Sequence, residues 1–369
     1  MAPVRVVVVD DSAVYRMLLS TALGNIADVE VVGRCRDGQA LIETIRKEKP
    51  DLITLDVEMP VMDGLSTLRE IRKLAAQEDS FKHAKVVLVS ALTKKGTDTT
   101  IQGLNEGAIE CIPKPEEGDV EKNKEILGIH LQRVVDLVRA QLRPSVTVSD
   151  KPLPTLPKAP AIRFLGAPAV TGLKKPRQRA DVILIGVSTG GPAALTNMLP
   201  DLCARTSLPI LIVQHMPPGF TKSLAESLAK KCKHRVTEAV EGDLVGANQV
   251  FIAPGGKHMV VQKTPEGFRI ALNGDAPENG CRPAVDVLFR SAAIAYGGKA
   301  VAVILTGMGS DGTQGAKPLR DQGVWVIVQD KESSVVWGMP GSAVEAGVAD
   351  DVQSLSNIPD AVAKASSAL

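Results

Sequence analysis

The sequence predicts an α/β protein with an N-terminal five-stranded parallel sheet and, behind a linker, a doubly wound α/β domain with a mainly parallel sheet. Three observations carry this. Short apolar runs alternate with helix-compatible stretches from Val4 onward. Two of the early runs end in acids, at Asp10-Asp11 and at Asp56. After a proline-rich break the alternation resumes, and its first run closes on Gly186-Val187-Ser188-Thr189-Gly190.

Val4 to Val9 predicts the first strand, and Ser12 can cap a helix running through Leu18 and Leu19 to Ala22. Val29 to Cys35 is a second strand, followed by Gly38 and the amphipathic stretch Ala40 to Ile45. Leu52 to Leu55, Val86 to Val89 and Ala108 to Ile112 complete five strands, with a helical pattern from Ile126 to Val135 behind them. Strands alternating with helices favour an open parallel sheet whose ligand lies beyond the strand carboxyl ends. From Arg143 to Arg179 the chain has seven prolines and eight basic residues with only Asp150 acidic, a poor core and an expected solvated linker. The expected division is 1–135, a linker over 136–180, and 181–369.

In the second half, strands are expected at Asp181 to Val187, Leu208 to Gln214, Gln249 to Ala253, Ala300 to Leu305 and Val324 to Val328. Helical segments fall at Ala193 to Leu199, Phe220 to Lys230 and Pro283 to Tyr296, with an antiparallel excursion around Met259 to Val261 and Phe268 to Ile270.

At 369 residues the chain can bury two substantial cores. A formal net charge of +1 implies neither nucleic acid binding nor membrane adsorption, and the basic linker offers only Phe164 for stacking on bases. The apolar stretch after Arg5 meets two aspartates, and no run approaches about 18 apolar residues. No signal peptide and no membrane insertion are expected, and the location expected is cytoplasmic. Cys35, Cys111, Cys203, Cys232 and Cys281 are odd in number and lack paired metal-ligand spacing, so they read as structural thiols.

Neighbouring parallel strands would bring Asp10, Asp11 and Asp56 to one sheet edge, where three carboxylates repel unless a hard cation such as Mg²⁺ joins them. Asp56 then reads as a nucleophile toward a phosphoryl donor, with Asp10 and Asp11 arranging the cation. Ser90 can donate a hydrogen bond to the phosphoryl group and Lys114 can neutralise one of its oxygens. Lys114-Pro115 offers a cis peptide as a way to aim the ammonium.

Gly186 to Gly190 is a G-x-S-x-G turn, whose small neighbours allow a sharp bend that exposes Ser188. A Gly-rich turn before Gly191 could instead cradle a phosphate or cap a helix, the lesser reading of the motif taken alone. His215 after one run and Asp311 after another would reach the same edge, giving a nucleophile, base and orienting acid. The backbone N–H of Met308 is a candidate oxyanion donor. The order serine, histidine, acid departs from the usual α/β-hydrolase order, in which the acid precedes the histidine. His258 reads either as a substrate contact or as a loop hydrogen bond, and His83 and His130 as surface residues.

Residues 4 to about 130 resemble a response-regulator receiver domain, most closely over Asp56 to Gly64. With Gly186 to Pro192, Gln214-His215-Met216-Pro217 and Thr306 to Gly312, the whole resembles the chemotaxis protein-glutamate methylesterase/protein-glutamine deamidase family. The resemblance implies Asp56 as phosphoacceptor, Mg²⁺ at Asp10, Asp11 and Asp56, Ser90 and Lys114 as switch residues, and a Ser188, His215, Asp311 triad that needs no cofactor. It also implies a substrate groove shaped by Thr189, Met216 and Arg282. The implied reaction is phosphorylation-activated hydrolysis of glutamyl methyl esters on methyl-accepting chemotaxis receptors, with deamidation of receptor glutamines, and a chemotaxis histidine kinase as phosphodonor. The alternatives are a deamidase with little esterase activity and a phosphorylation-dependent binding scaffold. The chain departs from the family in three places. Glu110-Cys111-Ile112-Pro113 carries no aromatic switch residue, Cys281 stands where many relatives have histidine, and Ala284 where many have serine.

Overall fold

The structure, a computed structural model, describes residues 2–115, 119–142 and 178–367. Its first half runs β1 (Val4–Val9), α1 (Ala13–Gly24), β2 (Val29–Cys35), α2 (Gly38–Glu48), β3 (Leu52–Asp56), α3 (Gly64–Ala75), β4 (Lys85–Ser90), α4 (Lys94–Asn105), β5 (Glu110–Pro113) and α5 (Val120–Leu142). The strands form one parallel sheet in the order β2-β1-β3-β4-β5. All five residues of β3 are buried, as a central parallel strand covered on both faces requires. Each of the first four helices opens on a side-chain cap, from Ser12, Asp37, Asp63 and Thr93, which accepts a backbone N–H of the first turn. Each such cap contributes about 1 kcal/mol, and it places the strand-to-helix turns, where the chemistry sits, at fixed positions.

The second half contains β6 (Val182–Val187), α6 (Gly191–Arg205), β7 (Ile210–Gln214), α7 (Phe220–Ala229), β8 (Arg235–Glu238), β9 (Leu244–Val245), β10 (Gln249–Ile252), β11 (His258–Thr264), β12 (Gly267–Asn273), α8 (Val285–Tyr296), β13 (Ala300–Ile304), α9 (Thr313–Asp321), β14 (Trp325–Gln329), α10 (Gly338–Glu345), β15 (Asp351–Gln353) and α11 (Ile358–Ser366). Seven strands pair in parallel in the order β15-β14-β13-β6-β7-β10-β8. The five expected strands are its centre. The edge strands β8 and β15 escape a sequence reading because they are short and polar, with little apolar run to mark them. The antiparallel excursion is the small sheet β11-β12-β9.

Two expectations need correction. Helix α5 continues to Leu142, so the linker expected from 136 begins inside a helix; most of the remainder lies outside the described residues. The Lys114-Pro115 bond is not cis; among the described residues the cis peptide is Arg282-Pro283.

The two sheets are packed against each other through helices. Helix α4 lies on α6 and α7, where the hydroxyls of Thr97 and Ser223 meet at 2.8 Å in a buried contact. Near the end of α5, Gln141 Nε2 donates to the Val335 carbonyl at 3.0 Å. Both contacts bring the first half over the carboxyl edge of the second sheet.

Candidate active site and phosphoacceptor site

In the first sheet, Asp10 and Asp11 follow β1, Asp56 ends β3, Ser90 ends β4 and Lys114 follows β5. Lys114 Nζ lies 2.8 Å from Asp10 Oδ2 and 2.8 Å from Asp56 Oδ2. Asp10 and Asp56 are buried and Asp11 is exposed. Burial first, and the Asp10 charge second, push the Asp56 carboxyl up to about 6. Burial opposes the Lys114 ammonium, but its two carboxylate partners hold its pKa above the ordinary lysine value. One ligand oxygen from each of Asp10, Asp11 and Asp56 falls within 4.8 Å of the others. Such an all-oxygen, highly anionic set suits a hard divalent cation. Ser90 is buried, and its Oγ donates to the Ala91 carbonyl at 3.2 Å.

In the second sheet, Ser188 follows β6, His215 follows β7 and Asp311 lies beyond β13, three strands that are direct neighbours in the order β13-β6-β7. The strand order reverses at β6, which makes its carboxyl end the crevice where open parallel sheets bind ligands. Gly190 takes φ +78°, a left-handed conformation open to glycine, and this turns the chain into α6 directly after Ser188. Gly307 closes the site from the opposite side, since a Cβ there would stand 2.7 Å from Ser188 Cβ. The Gly307-Met308-Gly309 turn is thereby pressed against the serine.

Asp311 Oδ2 lies 2.8 Å from His215 Nε2, with both side chains buried. The carboxylate also accepts the N–H groups of Val285 at 2.6 Å and Asp286 at 3.0 Å, at the start of α8, together with Gly312 N at 3.0 Å and Asn279 Nδ2 at 2.9 Å. Burial alone would raise its pKa, but His215 and these N–H donors hold it below the usual carboxylate range. A helix N-terminus suits an anion for the same reason. Burial likewise disfavours the His215 imidazolium, yet Asp311 and Cys281 raise its pKa to about 9.

The Ser188 hydroxyl accepts from Arg133 Nη2 at 3.5 Å, and among the described residues it makes no hydrogen bond to His215. Arg133 comes from α5 of the other half. Beside it, Thr189 Oγ1 donates to Glu110 Oε2 at 2.8 Å, from the first residue of β5. Burial pushes the Glu110 carboxyl up, against the pull of Arg133 and Thr189. These residues share a cavity of about 550 Å³ with His215, Met216, Arg282 and Met308. Thr189, Met216 and Arg282, expected as groove residues, and Met308, expected as an oxyanion donor, therefore stand around one cleft, and Arg282 is tied to the carbonyls of Gly274 and Asp275 at 3.0 and 2.9 Å.

His130 is not the surface residue expected, being half-buried and lining the same cleft. His258 is buried at 1 % exposure, donates from Nε2 to the Ala276 carbonyl and accepts Ala284 N at Nδ1, so it clamps the loop before α8. Sequence reasoning does not place Arg133 and Glu110 at this cleft, because each belongs to the other half, where the local sequence marks them only as a helix position and a strand end.

Residues 6–123 match the response regulator receiver domain family and residues 183–362 the CheB methylesterase family. The chain is 42 % identical over 361 residues to the protein-glutamate methylesterase/protein-glutamine glutaminase of Desulfotalea psychrophila, covering 97 % of each chain. It is 42 % identical over 370 residues to the protein of the same name from Azospirillum brasilense, covering 96 % of this chain and 91 % of that one. Among solved structures, the Thermotoga maritima CheB methylesterase catalytic domain is 43 % identical with a TM-score of 0.49, covering 50 % of this chain and 98 % of that one. With a receiver domain and a methylesterase domain matched in tandem and relatives aligned over nearly its whole length, this chain belongs to the protein-glutamate methylesterase/protein-glutamine glutaminase family.

Proposed function

We propose that this protein hydrolyses glutamyl methyl esters on the cytoplasmic helices of chemotaxis receptors, releasing methanol, and deamidates selected receptor glutamines by the same acyl chemistry. Phosphorylation at Asp56 by a chemotaxis histidine kinase activates it. The observation that carries this reading is the convergence of Ser188, His215 and Asp311 at three adjacent strand ends, with His215 lining a cleft that Arg133 and Glu110 of the receiver half also line. In this reading the receiver half extends to Leu142, the connecting segment covers 143–180 and the catalytic half begins at 181. The site of action is the cytoplasm; among the described residues no helix is long and apolar enough to cross a membrane.

The ionised Asp311 can only accept, so the His215 nitrogen facing it carries hydrogen and Nδ1 is the base. Ser188 Oγ attacks the side-chain carbonyl carbon while its proton passes to Nδ1, and Asp311 stabilises the imidazolium. The oxyanion faces the Met308 turn, whose backbone N–H is the proposed donor. As the tetrahedral intermediate collapses, Nδ1 gives its proton to the departing methoxy oxygen, or to the departing amide nitrogen of a glutamine, so that methanol or ammonia leaves, and water releases the acyl group by the reverse sequence. In the docked arrangement Arg133 holds the Ser188 hydroxyl, so the receiver half must move before a receptor helix can bind.

Asp10, Asp11 and Asp56 would hold Mg²⁺, whose charge would neutralise phosphoryl oxygens. Asp56 is the phosphoacceptor, Lys114 pairs with the added negative charge, and Ser90 turns its hydroxyl toward it. Loss of the Lys114 pairing to Asp10 and Asp56 is the local event that biases the docked state. Phosphorylation is expected to require a divalent cation. A chelator should prevent labelling of Asp56 while leaving small-ester hydrolysis by the unphosphorylated chain unchanged; labelling undiminished by chelator would contradict the carboxylate site.

The central test follows methanol and ammonia release from methylated receptor, with and without a phosphodonor, alongside hydrolysis of a small glutamyl ester. Phosphorylation should accelerate receptor turnover more than small-ester turnover, because a docked receiver excludes a helix more completely than a small molecule. Equal acceleration of both would argue against steric gating. Ammonia without methanol would favour a dedicated deamidase, and neither product would reject the enzyme.

A further inference from the structure

His215 is engaged on both of its ring nitrogens. Asp311 Oδ2 lies 2.8 Å from Nε2, and Cys281 Sγ lies 3.5 Å from Nδ1. The sulfur is held in place because Cys281 and Glu278 exchange both backbone hydrogen bonds, at 2.9 and 3.0 Å. Cys281 is only 9 % exposed and lines the same cleft as His215. A single nitrogen of Arg133 is 3.5 Å from Ser188 Oγ and 4.0 Å from Cys281 Sγ. One receiver guanidinium thus touches both groups that compete for the base. A neutral imidazole has one lone pair, so Nδ1 serves either Cys281 or Ser188, and not both.

We propose that Cys281 is a positioning residue of the hydrolysis: its sulfur occupies Nδ1 of His215 while the receiver half is docked, and yields that nitrogen to Ser188 when Arg133 withdraws. The inference rests on Ser188, His215 and Asp311 being the hydrolytic relay. In the docked state the thiol proton shifts to Nδ1; an S–H bond breaks, an N–H bond forms, and net charge is unchanged. A base that already holds a proton cannot take one from Ser188. Burial would raise the Cys281 thiol, but His215 and then Arg133 bring it below its ordinary value, and the same pairing contributes to the raised His215. Removing the guanidinium removes part of the support for the thiolate, the proton returns to sulfur, and Nδ1 is freed. The ionisable groups lining this cleft around His215 are Cys281 and Arg282 from the catalytic half, Glu110 and Cys111 from β5, and His130 and Arg133 from α5, with Asp311 against the other ring nitrogen. Of these, Cys281 and Asp311 touch the imidazole directly.

The test uses the unphosphorylated full-length chain. It compares the pH profile of kcat/KM on a small glutamyl methyl ester for the wild type, Cys281→Ala and Cys281→Ser. In both variants the rising limb should move to lower pH by about one unit, giving a gain of up to about tenfold at neutral pH. A cysteine that only fills space would change the height of the profile and leave its midpoint in place. As a second measurement, peptide mapping follows alkylation of Cys281 by iodoacetamide, which should be slower at neutral pH in Arg133→Ala than in the wild type. An unmoved limb in both variants, or alkylation unaffected by Arg133→Ala, overturns the proposal. Ser188→Ala in the same assay separates the hydrolytic relay from the role of Cys281. Hydrolysis that survives without Ser188 defeats the relay itself, whereas a dead Ser188→Ala with an unmoved Cys281 limb defeats only the role given to Cys281. Where the alanine variant does not fold, the serine variant and the alkylation measurement decide.

Discussion

Ser188→Ala is expected to lower kcat on a glutamyl methyl ester by roughly a millionfold, the loss seen when the nucleophile of such a relay is deleted. The size of the effect follows from the chemistry: without Oγ there is no acyl intermediate, and His215 and Asp311 retain nothing to activate. The fold should survive. Ser188 is buried in a turn held by backbone contacts, from Ser188 N to the Thr306 carbonyl at 3.0 Å and from Gly191 N to the Ser188 carbonyl at 2.8 Å, and the substitution leaves both intact. Circular dichroism and the urea midpoint should match the wild type. Hydrolysis within tenfold of wild type by a folded variant would remove Ser188 from the mechanism.

Asp311→Asn should cost kcat about ten-thousandfold and should also cost stability, which Ser188→Ala should not. The carboxylate accepts from His215 and from four further donors, at Val285, Asp286, Gly312 and Asn279. An asparagine replaces one accepting oxygen with an NH₂ that must face one of those donors, leaving a buried polar group unsatisfied at about 1–3 kcal/mol. The imidazolium formed during attack also loses its counter-charge. His215, held near 9 largely by the Asp311 hydrogen bond against burial, should then titrate lower, so the residual activity should begin to rise at lower pH than in the wild type. A variant with an unaltered pH profile and near-wild-type kcat would show that Asp311 does not orient the base.

The parts of this protein that were legible in its chain are those encoded by local pattern. The central strands of both sheets are continuous apolar runs, because parallel strands covered on both faces need them. The acids after β1 and at the end of β3, and the serine turn after β6, sit at strand ends that the alternation of runs and helices locates. Edge strands β8 and β15 were not legible, since a half-exposed strand tolerates Arg235 or Gln353 and loses the apolar signature. The length of α5 was underestimated for a related reason. Its last turns carry Arg139 and Gln141, polar positions that the helix accommodates while burying Leu137 and Val138.

By itself the sequence determined two parallel sheets, their order along the chain, and the residues able to supply a phosphoacceptor and a serine relay. Tertiary structure alone decided that Arg133 and Glu110 of one half enter the cleft of the other, that His215 meets Asp311 through Nε2, and that Cys281 lies at Nδ1. The physical reason is range. Periodicity and turn chemistry act over a few residues and leave their mark in the chain, whereas a contact between residues 55 positions apart, such as Arg133 with Ser188, depends on how two complete sheets pack.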